Sequence, residues 1–347
     1  MNFDLRDRHV IRPSDNYLRD PMHTLVSGGQ ANTHTALLLH QLRGLQVDIE
    51  LVSEYASSFT LPWKHGKVSV EWLHKKRLNQ KDTSSFSSYA STMLSLVPIV
   101  FAFLMDCVHT SEHGAAHMQE HIRCYGLLAS IIGLLQRVDT CASNVEYLEK
   151  LVDEYGELFI RLYDRAKVKF HHMYHLHETI RRFNRCLSCF VTERRHRQVK
   201  KAAVHVFRHL ENTVLSAMVT RMCESFIGDA SLFKHSFLVS PKVGQMHGQR
   251  IFTSTKAVLF CGLLNINDIV FANTAAVLVG RIEKFWECNN TIVVCIASFS
   301  KIGGDSRFWA DDAPITIFVA SDSIVDAVPW RRCENGAIRI IPPFVQA

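Results

Sequence analysis

From about Lys234 onward, the apolar residues of this chain stop recurring at helical spacing and come instead as short β-rich runs. The runs AVLFCGLL, DIVFA, AAVLVGRI, TIVVCIASF, ITIFVA and AIRIIPPF are separated by Asn, Asp, Gly and Pro. β-Branched and aromatic side chains suit a pleated, half-buried surface, and those separators suit turns. The region is predicted to be a small antiparallel β barrel or sandwich. Gly303-Gly304-Asp305 and Glu334-Asn335-Gly336 carry hairpin chemistry. Trp286, Trp309 and Trp330 are expected to pack in its core rather than to stack on bases.

Ahead of this switch the pattern is helical. Between Trp63 and about Ile227, Leu127, Ile131, Leu134 and Leu135 form one apolar stripe; Val145, Leu148, Leu151, Val152 and Tyr155 form another. The run MLSLVPIVFAFLM, Met93 to Met105, is shorter than the ~20 residues a membrane span needs. It is predicted to be a core helix kinked at Pro98, and no membrane is expected as a partner. Nearer the start come an extended HVIRP, a turn-rich stretch from Pro13 to Pro21, and Gly28-Gly29. An amphipathic helix from about Ala31 to Leu42 follows. The opening residues are charged and lack the apolar core of a signal peptide. The ten cysteines are scattered, so reduced thiols are expected.

Chemistry concentrates between Lys169 and Lys201, KFHHMYHLHETIRRFNRCLSCFVTERRHRQVKK. From Arg161 to Lys201 there are twelve Lys or Arg and three Asp or Glu, in a chain of net charge +6. His171 and His175 lie four apart, on one face if the segment is helical, and can share a metal. His172 and His177 stand close enough that spacing alone does not choose the pair. Cys186-x-x-Cys189 completes a tetrahedral Zn²⁺ set with His171 and His175. The plainer alternative has the histidines hydrogen-bonded on a packed helix and Cys189 acting as a small hydrophobe. Glu193 has Arg197 four residues on, a solvated helical pair. Alternatively it is a metal ligand flanked by the phosphate-binding side chains Arg194, Arg195, Arg197, Lys200 and Lys201.

The runs KFHHMYHL and CFVTERRHRQVK resemble the last block of CACTA/Chapaev-type DDE transposases, relatives of the RAG recombinase core. The resemblance makes His171 and His175 the family's paired histidines and Glu193 its third catalytic acid. Asp20-Pro21-Met22-His23, followed by Gly28, resembles the block carrying the second acid, which makes Asp20 that acid. Phe59 to His65, FTLPWKH, fits the aromatic-Pro element expected after the following helix.

The implied fold is α+β: a partial RNase H-like core with a large all-helical insertion, followed by the β barrel or sandwich. The corresponding domains are 1–62 with the second acid, 63–168 as helical insertion, 169–230 returning to the core, and 231–347 as β module. The implied chemistry is Mg²⁺-dependent DNA cleavage and strand transfer by a nuclear protein, with a homodimer admitted. Two departures stand out. Asp4, Asp7 and Asp15 lie too close to Asp20 to sit on an earlier strand, so the first acid is expected to be missing and catalysis impaired. The family's CxxC normally precedes the paired histidines, whereas Cys107, Cys124 and Cys141 stand alone; either zinc is lost or Cys186 and Cys189 substitute. The alternatives are a non-catalytic DNA-binding or protein-interaction module, or a remnant without selected function.

Overall fold

The structure, a computed structural model, describes residues 20–62, 68–74, 86–110, 112–136, 143–165, 167–184, 215–216, 219, 236–246, 249–259, 261–303 and 305–343. Its contacts divide the chain into two compact units. One comprises Met1–Glu50 with Trp72–Arg194; the other comprises Leu51–Glu71 with Arg195–Ala347. The class is α+β, as expected. Among the described residues no strand precedes Phe237, and the predicted HVIRP segment lies outside them.

The helical unit begins with a π-helical turn, Met22–Val26, closed by the Ser27 amide donating to the Met22 carbonyl at 2.8 Å. Helix α1, Gln30–Gly44, follows. Helix α2, Ile49–Ser57, lies mostly in the other unit. Next come α3, Ala90–Phe103, α4, Glu112–Gln136, and α5, Val145–Tyr163. The short α6, Val168–Tyr174, and α7, Leu176–Phe183, complete the unit's described part.

Helix α5 buries Val145, Leu148, Leu151, Val152 and Tyr155, the stripe read from the sequence, and adds Leu158 and Phe159. Each fully buried large apolar side chain contributes about 1.5–3 kcal/mol. On α4, Ile131, Leu134 and Leu135 are buried, with Leu128 more deeply so than Leu127. Pro98 does sit inside α3. There it lacks the amide that the Leu94 carbonyl needs. The run Ala90–Val108 is long and apolar enough to cross a membrane by length and composition. Its Met93, Leu96, Val97, Ile99, Val100, Phe103 and Leu104 are buried in the helical unit, as in a core helix.

Helix α1 departs from the amphipathic expectation. It covers the predicted span, yet every residue from Gln30 to Leu39 is buried, including Gln30, Asn32, Thr33, His34 and Thr35. Buried polar groups need partners, and several come from distant helices. The Asn32 side-chain amide donates to the Phe86 carbonyl at 3.1 Å. Thr35 shares a hydrogen bond with the Tyr125 hydroxyl at 2.9 Å, and Gln30 donates to the Tyr155 hydroxyl at 2.9 Å.

In the second unit β1, Phe237–Val239, β4, Lys256–Leu259, and β5, Gly262–Asn265, form a three-stranded sheet. A larger antiparallel sheet is built on β6, Ile269–Asn273, β7, Val277–Cys288, β8, Thr291–Lys301, and β9, Phe308–Ala320. Beyond β6 lies β10, Ile324–Ala327; beyond β9 lie β12, Ile338–Ile340, and β11, Trp330–Arg332. The hairpin of β2, Lys242–Met246, and β3, Gln249–Ser254, joins through β3 to β7. The pairing among described residues does not close, so the barrel alternative is set aside. Apolar clusters form on both faces of the large sheet, although Ile315 and Phe318 of β9 stay exposed. Ile282, Phe285, Val294, Ile296 and Val319 pack with Leu238, Leu259 and Leu264 of the small sheet; Phe271, Val279, Phe299, Trp309 and Ile338 pack on the opposite face.

The hairpins explain the register. Asn289 and Asn290 join β7 to β8 with φ of 50° and 63°. That left-handed pair matches the strand twist. Gly336, at φ 81°, closes the predicted Glu334-Asn335-Gly336 turn, where the Cys333 amide donates to the Ala337 carbonyl at 2.8 Å. Trp309 is buried and donates to the Ser306 carbonyl at 2.8 Å, while Trp330 is partly buried against the same core. Phe59 and Leu61 of the FTLPWKH run are buried, and Thr60 exchanges backbone hydrogen bonds with Trp330 at 2.7 and 3.0 Å. The Arg331 guanidinium lies 4.4 Å from the Tyr55 ring centroid.

Candidate metal centre

His171 lies on α6, and His175 stands at the joint between α6 and α7, with φ −99° and ψ 5°. The helix therefore stops one residue short of the second histidine. The two rings still converge: their Nε2 atoms are 3.2 Å apart and the ring planes meet at 78°. Two imidazole nitrogens bound about 2.0–2.1 Å from one tetrahedral Zn²⁺ stand about 3.3–3.4 Å apart, so the observed separation fits a shared cation. It also fits one N–H donated between the rings. His175 Nδ1 lies 3.1 Å from Glu178 Oε1, on the first turn of α7.

The structure chooses among the neighbouring histidines. His177 turns to α5, where its Nε2 lies 3.4 Å from Glu149 Oε1, and Arg181 donates to the same carboxylate at 2.6 Å. The Arg181 guanidinium holds the Glu149 carboxyl below the ordinary carboxylate range. The His171 and His172 rings are farther apart, at 6.3 Å between centroids. Among the described residues no group of three or more His, Cys, Asp or Glu is placed to hold a metal. Cys186 and Cys189, the thiolates that the sequence adds to the pair, lie outside the described residues.

Asp20 has a local role. Its carboxylate accepts the backbone N–H of Met22 at 3.2 Å and of His23 at 3.0 Å, and pairs with the His23 ring. Its side chain is 11% exposed. Those two amides belong to the first turn of the helical segment, and the Thr24 amide donates to the Asp20 carbonyl at 3.0 Å, which makes Asp20 an N-cap with Pro21 at the first helical position. Replacing Asp20 by Ala is expected to cost about 1–2 kcal/mol in urea unfolding, whereas Asn, an equally good cap, should recover most of it. Equal losses in the two variants would remove the capping account.

The Asp20 turn and the histidine helix meet. Helix α6 and α1 both pack on the turn Met22–Val26. Lys169, two residues before His171, donates its ammonium to the Ser27 carbonyl at 2.7 Å. Gly28, at φ +57°, and Gly29 make the tight joint that lets α1 start there. Glu193, Arg194, Arg195, Arg197, Lys200 and Lys201 all lie outside the described residues.

No family model, curated protein or solved structure matches the chain.

One polar centre escaped the sequence reading. His34, in the middle of α1, is fully buried, with the rings of Tyr125, Phe159 and Tyr163 at 4.9, 5.2 and 5.2 Å. Gln30 donates to the Tyr155 hydroxyl, which lies 3.2 Å from His34 Nδ1. The Tyr155 hydroxyl thus links Gln30 to Nδ1 of His34, while His34 Nε2 is buried without a hydrogen-bond partner among the described residues. Burial, aided by nearby His121, pushes the His34 pKa down to about 3. Burial likewise raises the Tyr125, Tyr155 and Tyr163 hydroxyls above their ordinary range. The sequence signal was Gln30 and His34 one helical turn apart, together with Tyr155 standing in an otherwise apolar stripe.

Proposed function

We propose that the chain derives from a DDE transposase and engages DNA through the segment Glu193 to Lys201. The observation that carries this reading is the docking of α6, with its paired histidines, on the turn led by Asp20. Two blocks far apart in sequence, each resembling a block of that family, are joined by Lys169 and Ser27, themselves 142 residues apart. An RNase H-like core would house the acids, and a nuclear location follows from the same reading.

In this reading Arg194, Arg195, Arg197, Lys200 and Lys201 neutralise phosphates. His171, His175, Cys186 and Cys189 hold a structural Zn²⁺ that fixes the approach to Glu193. Asp20 and Glu193 are the carboxylates available to Mg²⁺, and the amides of Met22 and His23 orient that of Asp20. When bound between such acids, Mg²⁺ polarises the scissile phosphate and activates the attacking oxygen. Asp20 and Glu193 supply two of the three carboxylates that this chemistry uses. Binding without turnover is therefore the expected activity of these residues alone.

Duplex binding measured by fluorescence anisotropy across salt concentrations tests the reading. Five phosphate contacts contribute about −4.5 to the slope of log K against log salt. Alanine at Arg194, Arg195, Arg197, Lys200 and Lys201 together should flatten the slope by about that amount. An unchanged slope removes the DNA assignment from this segment. A nicking assay with Mg²⁺ or Mn²⁺ is expected to show no cleavage. Cleavage abolished by Glu193→Gln would restore a full enzymatic role, and cleavage surviving it would exclude Glu193.

A further inference from the structure

We infer that Glu178 is a positioning residue for the metal pair, fixing the tautomer of His175 that presents Nε2 to a cation shared with His171. This rests on the metal reading of the paired histidines. A neutral imidazole carries its proton on one nitrogen and its lone pair on the other. A carboxylate 3.1 Å from Nδ1 can only accept there, so the proton stays on Nδ1 and the lone pair on Nε2. That lone pair is directed at His171 Nε2, 3.2 Å away. Histidine ligands of metals usually donate the second ring N–H in this way, to a carboxylate or a carbonyl.

The joint between the helices is what permits it. His175 caps α7 and Glu178 lies in the first turn of that helix, three residues on, so its carboxylate reaches Nδ1 while Nε2 faces His171. A glutamate at that position also interacts favourably with the positive end of the helix dipole. The two roles separate by substitution. Glu178→Gln would retain an oxygen that accepts Nδ1–H and lose the charge that the dipole favours; Glu178→Ala would lose both.

The experiment uses the full chain, stripped of metal and titrated with Co²⁺, whose visible bands report tetrahedral ligation, and with Zn²⁺ against a chromophoric chelator. Wild type is expected to bind, and His171→Ala and His175→Ala to abolish binding. Glu178→Ala should weaken affinity about 10–100-fold, the usual loss for an outer partner of a histidine ligand. Glu178→Gln should stay close to wild type. In the metal-free chain, the ¹⁵N shifts of the His175 ring, assigned by loss in His175→Ala, should show protonated Nδ1 in wild type and Glu178→Gln and a mixture in Glu178→Ala. If Glu178→Ala binds like wild type while both histidine variants fail, the positioning role is overturned and the metal pair stands. If wild type binds no metal, or the histidine variants bind as well as wild type, both readings fall together.

Discussion

Lowering the pH from 7 to 4 is expected to cost the helical unit about 3 kcal/mol through His34 alone. The folded imidazole takes up a proton only near pH 3, because burial strips the cation of water and His121 adds to the penalty. The unfolded chain takes it up near 6.5. The unfolded state thus binds more protons between those values, and stability falls as pH drops through that window. Well above pH 6.5, where the unfolded imidazole is also neutral, the contribution is complete and flat. His121 is shifted in the same direction, chiefly by desolvation, but is only partly buried and adds less. Urea unfolding followed at 222 nm reads the helical unit selectively, since the described helices lie almost entirely there. The acid slope should flatten in His34→Gln, which has nothing to titrate. Independently, the His34 ring proton in wild type should show no titration by NMR above pH 4. Equal slopes in the two proteins, or a midpoint near 6.5, would remove His34 as the cause.

That centre also marks where sequence reading stops. The strands β6 to β9 were legible because each element's pattern and its turn chemistry agreed, as with Asn289-Asn290 between β7 and β8. The stripe on α5 was legible for the same reason. By contrast AVLFCGLL, one run in the sequence, is the two strands β4 and β5. Helix α1 was found within a residue or two of its ends, but its character was not. The span from about Ala31 to Leu42 read as amphipathic, since hydropathy scores the residue and not its partner, yet Asn32, Thr33, His34 and Thr35 are buried with its apolar residues. The hydroxyls that satisfy Gln30 and Thr35 sit on Tyr155 and Tyr125, 125 and 90 residues away. At the metal pair, the spacing of His171 and His175 was visible. The removal of His177 by Glu149 and the hold of Glu178 on His175 depend on where α6 stops. No periodicity reports a helix break placed between two histidines.

Gly29→Ala is expected to cost about 3 kcal/mol or more, at the upper end of overpacking effects. A Cβ on Gly29 would lie 2.3 Å from the Thr24 carbonyl oxygen and 2.7 Å from that of Leu25. Both are backbone atoms of the π-helical turn, so no side-chain rotation can relieve the overlap. The turn must move, and with it the cap made by Asp20 and the Ser27 carbonyl that Lys169 holds. Gly44, in the last turn of α1, is the matched control, since a Cβ there meets nothing within 4 Å. Alanine at that position should be neutral or stabilise by up to about 1 kcal/mol, the helix-propensity difference. The contrast isolates close packing from glycine's general cost, because both substitutions change the same residue type at opposite ends of one helix. Urea midpoints for the two variants decide it. If Gly29→Ala unfolds within error of Gly44→Ala, the turn is not the rigid seat on which the histidine helix rests, and the docking of the two blocks loses its structural basis.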